Sequence, residues 1–214
     1  MHWQPRTNQL RAIRAGVFVL CLAPFARLVY GAFTNGLGAN PIEAITRSTG
    51  WWTLFLLMAT LAVTPLRRLS GANWLLRLRR MLGLYAFFYV CAHFLTFIWF
   101  DHWFDVGEIV KDVIKRPFVT VGFAAFVLLL PLAFTSTNAM VRRLGRNWQR
   151  LHRLVYAVAV LGVVHFWWLV KRDLTEPVLF AAVLVVLLGV RLYWRAHPSA
   201  RHSARSTGPV PGGR

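Results

Sequence analysis

Residues 79–100 read RRMLGLYAFFYVCAHFLTFIWF, two arginines followed by twenty residues that carry no formal charge and a single imidazole, His93. A helix of twenty residues rises about 30 Å, the thickness of a bilayer's hydrocarbon layer, so the stretch predicts a membrane span. Further stretches of this kind lie on both sides of it. Six spans are expected, over Leu10–Tyr30, Gly50–Leu66, Met81–Phe100, Phe118–Phe134, Leu151–Val170 and Pro177–Trp194. With 57% of the 214 residues hydrophobic and 14% aromatic, lipid must receive the apolar surface, because a soluble domain of this size has no core to hold it. The expected fold is an all-α membrane protein, a six-helix transmembrane bundle over residues 1–196 followed by a disordered tail over 197–214. The first span has no small-residue cleavage pattern after it and reads as a retained helix, not a signal peptide. No internal repeat is evident.

The net charge of +18 is unevenly distributed. Arg6, Arg11 and Arg14 precede or open the first span, and Arg67, Arg68, Arg77, Arg79 and Arg80 follow the second. Arg142, Arg143, Arg146, Arg150 and Arg153 follow the fourth, and Arg191, Arg195, Arg201, Arg205 and Arg214 lie at the C-terminal end. The alternate loops hold the other cations, Arg27, Arg47, Lys111, Lys115, Arg116, Lys171 and Arg172, together with every carboxylate: Glu43, Asp101, Asp105, Glu108, Asp112, Asp173 and Glu176. Those loops are neutral. Cation-rich loops resist translocation, so both termini are expected on the cytoplasmic side. The charge therefore marks orientation, not nucleic-acid affinity. Trp51, Trp52, Trp99, Trp103, Trp148, Trp167, Trp168 and Trp194 fall near span ends, where indole sits well among headgroups. Cys21 and Cys91 lie inside spans and read as small buried residues, not as a disulfide framework.

Ionisable side chains deep in a span are costly and mark functional sites. Two are deep, His93 in the third span and His165 in the fifth. Both spans start on the cytoplasmic side, and the histidines stand seven residues before Phe100 and five before Val170. They therefore lie at similar depth near the outer leaflet and are expected to ligate one haem iron axially. Lacking a C-x-x-C-H, the chain predicts non-covalent b-type haem. The competing reading is interhelical hydrogen bonding; a zinc site lacks a third ligand at that level.

His152 precedes His165 by 13 residues, about 20 Å of helical rise, at the cytoplasmic end of the fifth span. Thirteen steps on an ideal helix leave the two rings about 140° apart, and counting back the same interval from His93 reaches Arg80 and Arg79. Three readings stay open: ligand of a second, asymmetrically held haem, hydrogen-bond partner of a quinone or propionate, or an interfacial residue. Arg79 and Arg80 have the charge to pair haem propionates, or they are cytoplasmic anchors. His2, His102, His197 and His202 are assigned no site.

The segments RRMLGLYAFFYVCAHF around His93 and LAFTSTNAMVRRLGRNWQRLHRLVYAVAVLGVVHFWW around His152 and His165 closely resemble the MsrQ (YedZ) family. GLGANPIEAITRSTG and KRPFVTVG resemble the same family's external loop and helix entry, so the likeness covers nearly all but the tail. The resemblance implies a ferric-reductase-like transmembrane fold in the bacterial inner membrane and b-type haem, one or two. It also implies electron passage from the quinone pool to a periplasmic molybdopterin-containing methionine sulfoxide reductase subunit, so that this chain is the electron-transfer and not the catalytic subunit. FMN is associated with the family, although no motif here binds it. A second histidine on the third span, which the two-haem ferric reductases carry, is absent. No Gly-rich phosphate loop follows a strand, so the donor is expected to be a quinol or a separate protein. A small multi-pass transporter and a cofactor-free anchor are the alternatives, and Asp101–Arg116 is the sizeable external surface for docking.

Overall fold

The computed structural model describes residues 4–170 and 173–197. Among these residues the chain forms nine α-helices: α1 (Thr7–Phe33), α2 (Pro41–Ser70), α3 (Leu76–Thr96), α4 (Val106–Lys115), α5 (Pro117–Phe134), α6 (Asn138–Leu144), α7 (Arg146–Leu151), α8 (Leu154–Leu169) and α9 (Thr175–Ala196). A 3-10 turn, Asn73–Leu75, leads into α3, and a π-helical turn, Phe97–Asp101, continues it. Six runs are long and apolar enough to cross a membrane: α1, α2, Asn73–Asp101, α5, Arg146–Leu169 and α9. The tail reading over 197–214 falls, apart from His197, outside the described residues, as do His2 and His202.

The helix α2 is bounded by strong local signals. Asn40 caps it by accepting from the Glu43 amide at 3.2 Å, Pro41 opens it, Arg67 and Arg68 fill its last turn, and Gly71 ends it in the left-handed region at φ 68°. Its first nine residues precede the expected span. The cap and Pro41 start the helix there, and Glu43 and Arg47, 3.6 Å apart, face water one turn from each other.

This helix is also the centre of the bundle. Leu54, Leu56, Leu57, Met58, Leu61 and Val63 are buried on it, and it packs against α1, α3, α8 and α9. Its threonines are interior too: Thr49, Thr53 and Thr60 are buried, and each hydroxyl donates to the carbonyl four residues back at 2.7–2.8 Å. In lipid an unsatisfied hydroxyl is costly, and this back-bonding removes the cost. The outer helices leave large apolar side chains exposed, as Phe18, Val19 and Leu20 on α1 and Val185 and Val186 on α9 do, which a lipid-facing surface requires.

Proline positions fix two cross-links. Next to Pro24 in α1, the Tyr89 hydroxyl of α3 enters the helical ladder: it accepts from the Phe25 amide at 3.0 Å and donates to the Cys21 carbonyl at 2.8 Å. Pro65 leaves the Leu61 carbonyl of α2 without its helical donor, and the Arg191 guanidinium of α9 donates to that oxygen. On the acidic side, α4 is tied to the end of α3 by His102, which contacts Asp112 at 3.1 Å, while Arg116 contacts the same carboxylate at 3.3 Å.

Candidate functional site

The structure brings His93 of α3 and His165 of α8 together, with ring centres 6.2 Å apart and planes at 80°. Each ring is fixed by a neighbouring helix in the same way. His93 Nδ1 lies 2.9 Å from the Thr46 carbonyl of α2, and His165 Nδ1 lies 2.7 Å from the Phe118 carbonyl of α5. A carbonyl only accepts, so both Nδ1 atoms carry the proton and both Nε2 atoms keep a lone pair. That is the tautomer a metal needs, held by the kind of backbone contact that orients ligating histidines elsewhere.

Close approach to the partner helix depends on a glycine in each case. A Cβ at Gly50 would lie 3.1 Å from His93 Cε1, and one at Gly122 would lie 2.7 Å from His165 Nδ1. Thr46 and Gly50 stand one turn apart on α2, as Phe118 and Gly122 do on α5, and each hydrogen bond joins residues 47 apart in the chain. The pairs α2–α3 and α5–α8 thus hold their histidines in like fashion, a likeness of backbone contact that the sequence, in which no internal repeat is evident, does not display. Side-chain identities have diverged, Thr46 matching Phe118, because the carbonyl and not the side chain makes the contact. Around His93 the α2–α3 hairpin adds a threonine strap: Thr46 Oγ1 donates to Thr96 Oγ1 at 3.1 Å, and Thr96 Oγ1 donates to the His93 carbonyl at 2.7 Å.

The residues present fit a bis-histidine haem. Two metal–imidazole bonds of about 2 Å each, with the distance from nitrogen to ring centre on either side, span about 6 Å between ring centres. The donor set is two neutral imidazoles with no carboxylate or thiolate beside them, and among the described residues no group of three or more His, Cys, Asp or Glu side chains is placed to hold an ion.

His152 lies far from this pair, in a turn between α7 and α8. The helix is interrupted there, so the angular offset expected for one continuous helix does not apply. Its Nδ1 lies 3.1 Å from the Trp148 carbonyl, its ring stacks on Trp148 at 3.9 Å, and its Nε2 is buried near the Leu132 carbonyl without a completed hydrogen bond. Arg79 is half-buried and close enough to act on His152 electrostatically, whereas Arg80 is exposed and donates to Asn138 Oδ1 at 2.8 Å. The structure therefore groups Arg79 with His152 and directs Arg80 elsewhere. Thr46, Gly50, Phe118 and Gly122 escaped the sequence reading, although Gly50 precedes His93, and Gly122 precedes His165, by the same 43 residues.

Residues 49–163 match the family described as ferric reductase like transmembrane component. Over 207 residues the chain is 58% identical to the protein-methionine-sulfoxide reductase heme-binding subunit MsrQ of Herminiimonas arsenicoxydans, covering 95% of each chain. The subunit of the same name from Ralstonia nicotianae is 59% identical over 95% of each chain. That from Xanthomonas campestris pv. campestris is 47% identical over 94% of each. No solved structure matches the chain.

Proposed function

Because this chain belongs to the MsrQ family of haem-binding subunits, within the ferric-reductase-like transmembrane proteins, we propose that it is the membrane cytochrome of a methionine sulfoxide reductase system. In this reading it takes electrons from the quinone pool of the bacterial inner membrane and passes them to a periplasmic, molybdopterin-containing catalytic subunit. The single observation that carries it is the His93–His165 pair, with Nε2 lone pairs free and ring centres 6.2 Å apart.

A b-type haem held by His93 and His165 would supply one-electron transfer. The Thr46 and Phe118 carbonyls keep the protons on Nδ1, and Gly50 and Gly122 admit the rings. The separation of carboxylates from most cations supports cytoplasmic termini and an outward-facing site. On the outer side, α4 presents Val106, Val110 and Ile114 along one exposed face, beside Trp103 in a left-handed turn at φ 47°. An apolar stripe framed by Asp105, Glu108 and Lys111 is suited to meeting the catalytic subunit. On the inner side, His152 with Arg79 is assigned to a second haem or to the quinol, while Arg80 is engaged with Asn138. FMN enters through the family resemblance alone, and no residue is assigned to it.

The test is the optical spectrum of the purified protein. His93→Ala and His165→Ala are each expected to abolish a low-spin b-haem signal while membrane insertion persists; an unchanged spectrum in either variant rejects the site. Reduced protein is expected to be reoxidised by methionine sulfoxide only when the catalytic subunit is added.

A further inference from the structure

Apart from the histidine pair, a cluster of cations lies where α2, α8 and α9 meet. A cavity of about 400 Å³ there is lined by Arg68, Arg153, Arg191 and Arg195, with Tyr156 and Trp194 between them. Two of these guanidiniums are already oriented by neutral groups. Arg191 donates to the Leu61 carbonyl freed by Pro65 and, at 3.0 Å, to the Leu187 carbonyl on its own helix, and it lies 5.5 Å from the centre of the Tyr156 ring. Arg68 lies over the Trp194 indole at 4.8 Å.

Among the described residues none of the four is paired with a carboxylate. Every Asp and Glu of the chain belongs to another loop, and the described ion pairs are Arg47–Glu43, His102–Asp112, Lys111–Glu108 and Arg116–Asp112. Arg68, Arg153 and Arg195 are exposed and Arg191 is half-buried, so water screens their mutual repulsion in part, and an anion bound among them would relieve the remainder. Among the described residues no group supplies that anion. Guanidinium forks match phosphate oxygens bidentately, and basic pockets between spans take anionic headgroups. The cavity wall continues into Leu188 and Leu192, the latter 63% exposed on the lipid-facing side, which suits an acyl chain and not a free ion.

We propose that this cavity binds the headgroup of an anionic phospholipid through its phosphodiester oxygens. A diphosphatidylglycerol, whose two phosphates match four guanidiniums, is the favoured ligand. The lipid then bridges the ends of α2, α8 and α9, adding to the single hold that Arg191 has on Leu61.

Native mass spectrometry of the haem-loaded protein, titrated in detergent with diphosphatidylglycerol, phosphatidylethanolamine or inorganic phosphate, tests this. One diphosphatidylglycerol is expected to be retained at concentrations where phosphatidylethanolamine is lost. The double variant Arg68→Gln/Arg195→Gln, which leaves Arg191 on Leu61, is expected to weaken retention about 30-fold. Its haem spectrum is expected to be unchanged, and Arg142→Gln/Arg143→Gln on α6 is expected to change neither. Should the double variant not fold, Arg195→Gln alone is expected to weaken retention about fivefold. Equal retention of phosphatidylethanolamine, insensitivity to these arginines, or phosphate binding as tight as lipid binding would each overturn the proposal.

Discussion

Two imidazoles were legible at the residue scale because a titratable ring in an apolar run has few bland explanations. The groups that orient them were not: a backbone carbonyl leaves no trace in a sequence, and glycine in a membrane helix has many uses. Gly122 is the sharper case. A methyl group there would lie 2.7 Å from a ring nitrogen already fixed by Phe118, so Gly122→Ala must displace His165. Haem affinity is expected to fall about 10- to 100-fold, the range for disturbing a ligand's supporting shell, measured as haem-to-protein ratio after purification. At Gly50 the nearest ring atom is 3.1 Å away, so Gly50→Ala is expected to have a smaller effect in the same assay. Equal tolerance of both substitutions would mean that the glycines do not set the ring positions.

At the scale of elements, six spans were readable from length and apolarity, and their ends were not. Glu43 and Arg47 interrupt the apolar count in the first turns of α2, yet Asn40 and Pro41 had marked its start. The break at His152 has no proline or glycine beside it to mark it, and the flanking Arg150 and Arg153 are as compatible with a helix as with a turn. Prolines at Pro24 and Pro65 could be seen, but the side chains that answer them come from distant helices. Two predictions belong here. Tyr89→Phe leaves the Cys21 carbonyl and Phe25 amide without their shared hydroxyl, so it is expected to cost about 1–2 kcal/mol in detergent unfolding and to speed maleimide labelling of the buried Cys21. Pro65→Ala returns a donor to Leu61, so Arg191→Gln is expected to destabilise the Pro65→Ala background less than the parent, by about 1 kcal/mol in a double-mutant cycle. Additive effects would show that the guanidinium does not answer the proline.

For the whole molecule, the partition of charge was written in the sequence, and it predicts sidedness. A cysteine placed at Lys115 is expected to react with a membrane-impermeant maleimide in intact spheroplasts, and one at Arg142 only after lysis; the reverse pattern would invert the protein. The central helix was harder to foresee. One of the two shortest expected spans proved to be the hub, because in lipid the threonine-rich helix goes inside and the uniformly greasy ones outside. The like hold on the two histidines was hidden for a related reason, since what repeats is a backbone contact. Each ring is braced within its own half, His93 by α2 and His165 by α5, so neither half waits for the other, or for the pigment, to aim its nitrogen. A cell starved of iron porphyrin is expected to accumulate an apoprotein whose ring nitrogens are already aimed, ready to be filled without refolding.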